Sequence, residues 1–222
     1  MKKAIYFKVL NYTASNILLI ESYFECLSLN DPSELDEEIL EEIVLLFAPL
    51  GFTFDQNIFK NAPRLEVIVS NTTSVPHINM DHAGQYGIEV FSLKDEKKFL
   101  NFITPTAEIT IALMLAITRN LIPAVSSVLN CEWSRWNHGG KKMLSRMSLG
   151  IVGLGRLGRM VAGYANALGM NISYFDPYVG ASESFLTRVS SLEELVGCVD
   201  IVSVHVHPTS ETVYMFNQDL FS

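Results

Sequence analysis

The sequence is poor in cysteine. Its three cysteines, Cys26, Cys131 and Cys198, form neither a C-x-x-C pair nor a zinc spacing. That excludes a disulfide framework, gives no reason to expect a metal, and favours a reducing, cytoplasmic setting with buried thiols. Positive charge is also scarce: 16 Lys and Arg stand against 24 Asp and Glu, a net charge of −8. With no basic cluster, a nucleic-acid groove and a polybasic membrane contact are both disfavoured. Unbroken apolar runs are short. Residues 109–117 are bounded by Glu108 and Arg119, and 43–54 contain Pro49 and Gly51. Neither reaches the roughly 18 residues of a membrane span. The N-terminus resembles a signal peptide only superficially, because Lys8 and Asn11 break it and no small-residue cleavage site follows. Charged residues are 18% of the chain against 49% hydrophobic. That balance excludes disorder and leaves more apolar surface than the chain would be expected to cover alone.

What is present is an alternation of strand-like and helix-like segments, the pattern of an α/β fold with parallel sheets. Strands are expected at 4–9, 24–29, 43–48, 65–70 and 89–92, with helices at 15–22 and 54–62 and a solvated turn and short helix over 31–42. Thr104-Pro105 marks a helix start with a hydroxyl cap, and the helix that follows is apolar nearly all round, as a covered element would be. Pro123 kinks it or begins a second helix to about Asn130. Lys141 and Lys142 read as a solvated pair. A domain boundary is expected near this helix, giving 1–103 and 104–222. Further strands are expected at 149–152, 171–175, 188–190 and 199–206, with a helix to about Leu168, a capping box of Ser191 and Glu194, and a last helix over 211–217.

Gly153, Gly155 and Gly158 form G-x-G-x-x-G after a strand and before a helix. The first glycine permits a tight turn. The second lets a pyrophosphate approach the backbone, and the third lets helix and strand pack closely. Amides of Arg156, Leu157 and Gly158 would then face phosphates. Asp176 lies 18 positions after Gly158, at the end of the next strand. A carboxylate there suits both adenosine ribose hydroxyls and repels a 2′-phosphate, which favours NAD over NADP; Asp-Pro also opens turns. Arg156 suits either the pyrophosphate or a solvated helix face.

The segments NTTSVPHINMDHAGQYGIEV, ITPTAEITIALMLAITRN, MSLGIVGLGRLGRMVAGYANALGMNISYFDPY and SLEELVGCVDIVSVHVHPTSET together resemble the D-isomer-specific 2-hydroxyacid dehydrogenases, including phosphoglycerate dehydrogenase-like members. The resemblance covers most of the chain from about Pro63. It implies a flavodoxin-like substrate domain, a crossing helix and a Rossmann domain, with the substrate held between domains. It also implies hydride transfer between NAD and a small 2-hydroxy or 2-keto acid, and dimers built on the Rossmann domain and crossing helix. By the same resemblance, Thr73, Ser74 and Val75 lie in a loop whose amides take the substrate carboxylate. Ser74 stands where glycine is frequent, and Pro76 and Asn79 where aspartate is. Thr106 would lie near the nicotinamide or serve the helix start, His205 and Val206 would line the adenine pocket, and Thr212 would lie near the cofactor.

The family's acid/base histidine, its glutamate and its arginine have no counterpart in this sequence. None of His77, His82, His138, His205 and His207 matches the catalytic histidine. His77, beside the loop, is the one candidate substitute, although relatives often keep a histidine there for packing. Only the first four strands of a six-stranded Rossmann sheet are expected, with the last of them at an exposed edge. The chain is therefore expected to be an N-terminal fragment, inactive alone. The alternatives are a non-catalytic NAD(H)-binding sensor or corepressor-like relative, and a degenerate product without function.

Overall fold

The fold is that of a computed structural model, which describes residues 1–134, 136–139, 142–180 and 183–221, with Phe221 by its backbone alone. The chain divides into two compact units, Met1–Leu100 and Asn101–Ser222.

The first unit is a five-stranded parallel sheet. Its strands are β1 (Lys3–Phe7), β2 (Glu25–Leu29), β3 (Ile43–Phe47), β4 (Val67–Ser70) and β5 (Glu89–Ser92), in the order β2-β1-β3-β4-β5. That is the flavodoxin-like order. The connections carry α1 (Ala14–Glu21), α2 (Glu37–Glu42), α3 (Gln56–Phe59) and α4 (Met80–Gln85), and α5 (Lys97–Leu100) follows β5. Strands buried on both faces read as continuous apolar runs, and IVLLF of β3 is one. Ile5, Phe7, Leu46, Phe54, Phe59 and Ile68 fill the core. α3 is shorter than the helix expected over 54–62: Phe54 bridges to Ile78, and the Asp55 side chain caps only one turn. α4, capped by Asn79, was not expected; of its residues only Ala83 is buried, so no apolar periodicity announces it.

The second unit begins with α6 (Pro105–Thr118) and α7 (Leu121–Leu129). The break falls at Asn120, whose φ of 50° is left-handed, and Pro123 sits in the first turn of α7, where no amide bond is lost. Thr104 does not cap α6 through its hydroxyl, which bonds the Glu108 carboxylate instead. α6 buries Ala107 and Met114 but leaves Ile109, Leu113 and Ile117 exposed, so it is less covered than its composition suggests. The stretch Lys97–Thr118, 22 residues, is long and apolar enough to cross a membrane by length and composition. The reading of unbroken apolar runs missed it because the stretch tolerates Lys97, Lys98 and Glu108.

The sheet of this unit holds β6 (Ser148–Val152), β7 (Asn171–Phe175), β8 (Leu186–Arg188) and β9 (Ile201–Val204), all parallel, in the order β8-β7-β6-β9. In chain order this is 3-2-1-4, the first four strands of a Rossmann sheet, with β9 at the edge. α8 (Arg156–Ala167) follows β6, and α9 (Leu192–Cys198) precedes β9. Gly169, at φ +79°, lies just past the end of α8. The Ser191 hydroxyl accepts the Glu194 amide, while the Glu194 carboxylate reaches back to the amide of Ser190 rather than Ser191. No helix forms over 211–217. The Thr212 hydroxyl folds this segment back onto the His207 carbonyl at 2.6 Å, and Tyr214 is left-handed at φ 60°. Lys142 is exposed, as a solvated charge would be, and also pairs with Asp200 at 2.7 Å; Lys141 lies outside the described residues. The thiols are not buried either: Cys131 and Cys198 are exposed and Cys26 is half-buried.

Candidate functional site

Parallel strands deliver their loops to one end of a sheet, and the loops after β4 and β6 carry the candidate residues. In the second unit, Gly153 ends β6 at φ +89°. A Cβ there would lie 2.7 Å from Val206 Cγ1 and 2.8 Å from the His205 carbonyl, so the glycine admits the end of β9 as well as the turn. His205 continues the ladder, its amide donating to the Val152 carbonyl at 2.7 Å. A Cβ on Gly158 would meet the Gly153 carbonyl oxygen at 2.1 Å, so helix and turn touch through bare backbone. Gly155 differs. It begins α8 without a side-chain cap, and a Cβ on it would meet nothing within 4 Å. That open space lies at the positive end of a 12-residue helix whose first turn, with Leu157 and Gly158, carries no acidic residue.

Asp176 is buried at the end of β7. Its Oδ2 accepts the Leu154 amide at 2.8 Å, and its Oδ1 accepts the amides of Tyr178 and Val179 at 2.9 Å each. It therefore opens the turn after β7 and also fastens the glycine turn. A carboxylate offers about four acceptor positions, and three of those of Asp176 are taken by main chain. The Nη1 of Arg156 donates to the Ile103 carbonyl at 2.8 Å.

Further out, Tyr178 donates its hydroxyl to the Glu211 carboxylate at 2.6 Å, which raises the Tyr178 pKa. This bond joins the loops after β7 and β9, the two neighbours of β6. The sequence offered no signal for it. The Thr212 hydroxyl serves its own turn. The Thr106 hydroxyl is exposed, and among the described residues nothing bonds it. His205 is part-buried beside Ser203, 2.9 Å away, and burial lowers its pKa.

In the first unit, the loop after β4 is held at both ends. The Leu93 amide donates to the Thr72 carbonyl at 2.9 Å, and the Phe54 amide to the His77 carbonyl at 2.8 Å. Asn71 is held by the Tyr12 hydroxyl at 2.9 Å. Between these ties, the amides of Thr73, Ser74 and Val75 find no acceptor among the described residues. Consecutive free amides at a strand end suit an anion. Ser74 has no positive φ, so this loop does not need glycine there. His77 is buried, with Nε2 3.2 Å from Ser70 Oγ. Burial lowers its pKa, with the Ala48 backbone acting in the opposite direction; among the described residues Nδ1 has no hydrogen-bond partner. A cavity of about 330 Å³ opens at the opposite, N-terminal ends of β1 to β3, beside the Lys3–Glu42 ion pair and away from the loop after β4.

The family model for the NAD-binding domain of D-isomer specific 2-hydroxyacid dehydrogenases matches residues 111–222. This chain belongs to the D-isomer specific 2-hydroxyacid dehydrogenase family. It is 31% identical over 189 residues to D-3-phosphoglycerate dehydrogenase of Methanocaldococcus jannaschii, covering 82% of this chain and 35% of that one. For the Bacillus subtilis D-3-phosphoglycerate dehydrogenase the identity is 30% over 203 residues, covering 90% and 37%. Glyoxylate reductase of Thermococcus litoralis is 27% identical over 216 residues, covering 92% and 64%. The chain thus spans about a third of the length of these phosphoglycerate dehydrogenases. Among solved structures, D-lactate dehydrogenase from Aquifex aeolicus, complexed with NAD and lactic acid, shares the fold. The TM-score is 0.82 at 24% identity, over 98% of this chain and 64% of that one. The TT0316 protein from Thermus thermophilus gives 0.81 at 26% identity, over 99% and 69%.

The dinucleotide of this dehydrogenase domain is NAD. The residues present fit it: Gly155 leaves the space a pyrophosphate needs, and the amides of Leu157 and Gly158 lie in the first turn of α8.

Proposed function

We propose that this chain serves an NAD-dependent D-2-hydroxyacid dehydrogenase acting on a small 2-hydroxy or 2-keto acid. The carrying observation is the division of labour among three glycines, two closing the turn and one left open at the head of α8. Bound NAD supplies the hydride acceptor for the carbon bearing the hydroxyl, while the hydroxyl proton leaves to a base. The chain's own residues hold the reactants. Gly155, Leu157 and Gly158 receive the pyrophosphate, and Asp176 accepts a ribose hydroxyl and repels a 2′-phosphate. The Thr73, Ser74 and Val75 amides take the substrate carboxylate.

No histidine, glutamate or arginine of this sequence matches the family's catalytic set, so the 222 residues alone bind without turnover in this reading. A cytoplasmic setting goes with it, as does self-association through the exposed apolar face of α6 and α7. There Leu113, Ile117, Ile122 and Pro123 line a groove of about 320 Å³. The test is a fluorescence titration of the 222-residue chain with NADH and NADPH, beside an assay with lactate, glycerate and 3-phosphoglycerate. Binding of NADH at least about tenfold tighter than NADPH, without turnover, is expected. A folded chain that binds neither dinucleotide would sink the proposal. NADH binding by this chain in its native setting, with no dehydrogenase activity there, would favour the sensor reading.

A further inference from the structure

The end of β4 carries a run of hydrogen bonds whose direction follows from counting protons. A threonine hydroxyl has one proton to donate. That of Thr72 goes to the Ser74 carbonyl at 2.6 Å, which can only accept. The 2.9 Å bond between Ser70 Oγ and Thr72 Oγ1 must then be donated by Ser70. This uses the one proton of Ser70, so the 3.2 Å bond to His77 must be donated by the ring through Nε2–H. The chain runs one way: His77 to Ser70, Ser70 to Thr72, Thr72 to the Ser74 carbonyl. Nδ1 is left bare. Among the described residues it is the one buried side-chain nitrogen or oxygen without a partner, and a second proton there would be a buried charge.

The Ser74–Val75 peptide is trans and planar, so its carbonyl and its N–H point in opposite directions. Fastening the Ser74 oxygen toward Thr72 therefore turns the Val75 amide away from the buried chain. We propose that His77 is a positioning residue which, through Ser70 and Thr72, fixes the Ser74–Val75 peptide so that the Val75 N–H faces a bound carboxylate. The inference rests on the carboxylate role given above to this loop. It also places His77 outside the proton-transfer chemistry, because its only ring proton is committed inward.

Two measurements test it. Long-range proton–nitrogen NMR of the unmodified chain at neutral pH reads the His77 tautomer. The neutral Nε2–H form is expected, and an Nδ1–H tautomer overturns the proposal. The second uses oxamate as the carboxylate probe, followed at the Val75 amide resonance. Thr72→Val keeps the branched shape without the hydroxyl, and His77→Phe removes the donor; both are expected to weaken oxamate about tenfold. His77→Gln keeps an N–H near the Nε2 position and is expected to stay within about threefold of the unmodified chain. Equal affinity in all variants overturns the proposal. Failure of the unmodified chain to bind oxamate defeats the carboxylate reading instead. The tautomer, and the Val75 resonance of Thr72→Val without ligand, then still decide the positioning role. An unmoved resonance overturns it.

Discussion

The turn after β6 and the loop after β4 both present main-chain amides at the end of a parallel strand, yet they are held in opposite ways. The first is built by leaving atoms out. Gly153 and Gly158 touch through backbone where a single Cβ would collide. The second is built by putting hydrogen bonds in. Ser70, Thr72 and His77 sit under the loop and fasten one of its carbonyls, with no glycine from Ser70 to Val75. Removing side chains lets backbone segments approach, at the cost of unfolded-state entropy. Adding buried hydroxyls avoids that cost but demands that every proton find an acceptor. The two solutions should therefore fail differently under substitution.

The largest expected effect is at Gly158. Alanine there would push a methyl against the Gly153 carbonyl, an overpacking of backbone worth about 3 kcal/mol. Urea unfolding should report a loss of that order together with lost NADH binding. A loss under about 1 kcal/mol would mean that the helix and turn can separate, and the contrast would weaken. Gly155→Ala comes next and separates binding from folding. Stability should stay within about 0.5 kcal/mol, while NADH affinity falls about tenfold. Unchanged affinity would show that the open space at the head of α8 is not where the pyrophosphate lies. The smallest effect is expected at Ser74. If side-chain hydrogen bonds rather than backbone freedom hold that loop, Ser74→Gly should cost about 0.5 kcal/mol or less and gain no carboxylate affinity. A clear gain in oxamate binding would mean that the loop wants the freedom a glycine supplies, and the two sites would then be alike.

The parallel architecture was legible because its signals are local and repeated: apolar runs, capping residues and a glycine motif set between a strand and a helix. β7 falls on the expected 171–175. The misses have physical causes. α4 buries too little to show a period, and over 211–217, where a helix is expected, the Thr212 hydroxyl and the backbone of Tyr214 close a turn instead. At the sites, residue type could be read but not what each side chain touches. The link from Arg156 to the Ile103 carbonyl spans 53 positions, and the Lys142–Asp200 pair spans 58. Such contacts exist only once the chain has folded. Thr72 and His77 stand in plain view in the sequence, but the proton order that makes them a chain needs the distances between them.

Asp176 bears on attempts to redesign the dinucleotide preference of this protein. Its carboxylate holds the amides of Leu154, Tyr178 and Val179, so it is part of the scaffold on which the nucleotide would rest. Exchanging it for a neutral or basic side chain, the obvious step toward accepting a phosphorylated ribose, would unfasten two loops at the same moment. A variant of altered preference would need new acceptors for three amides before a new ligand could be accommodated. Specificity at this position is therefore tied to architecture and will resist change by any one substitution.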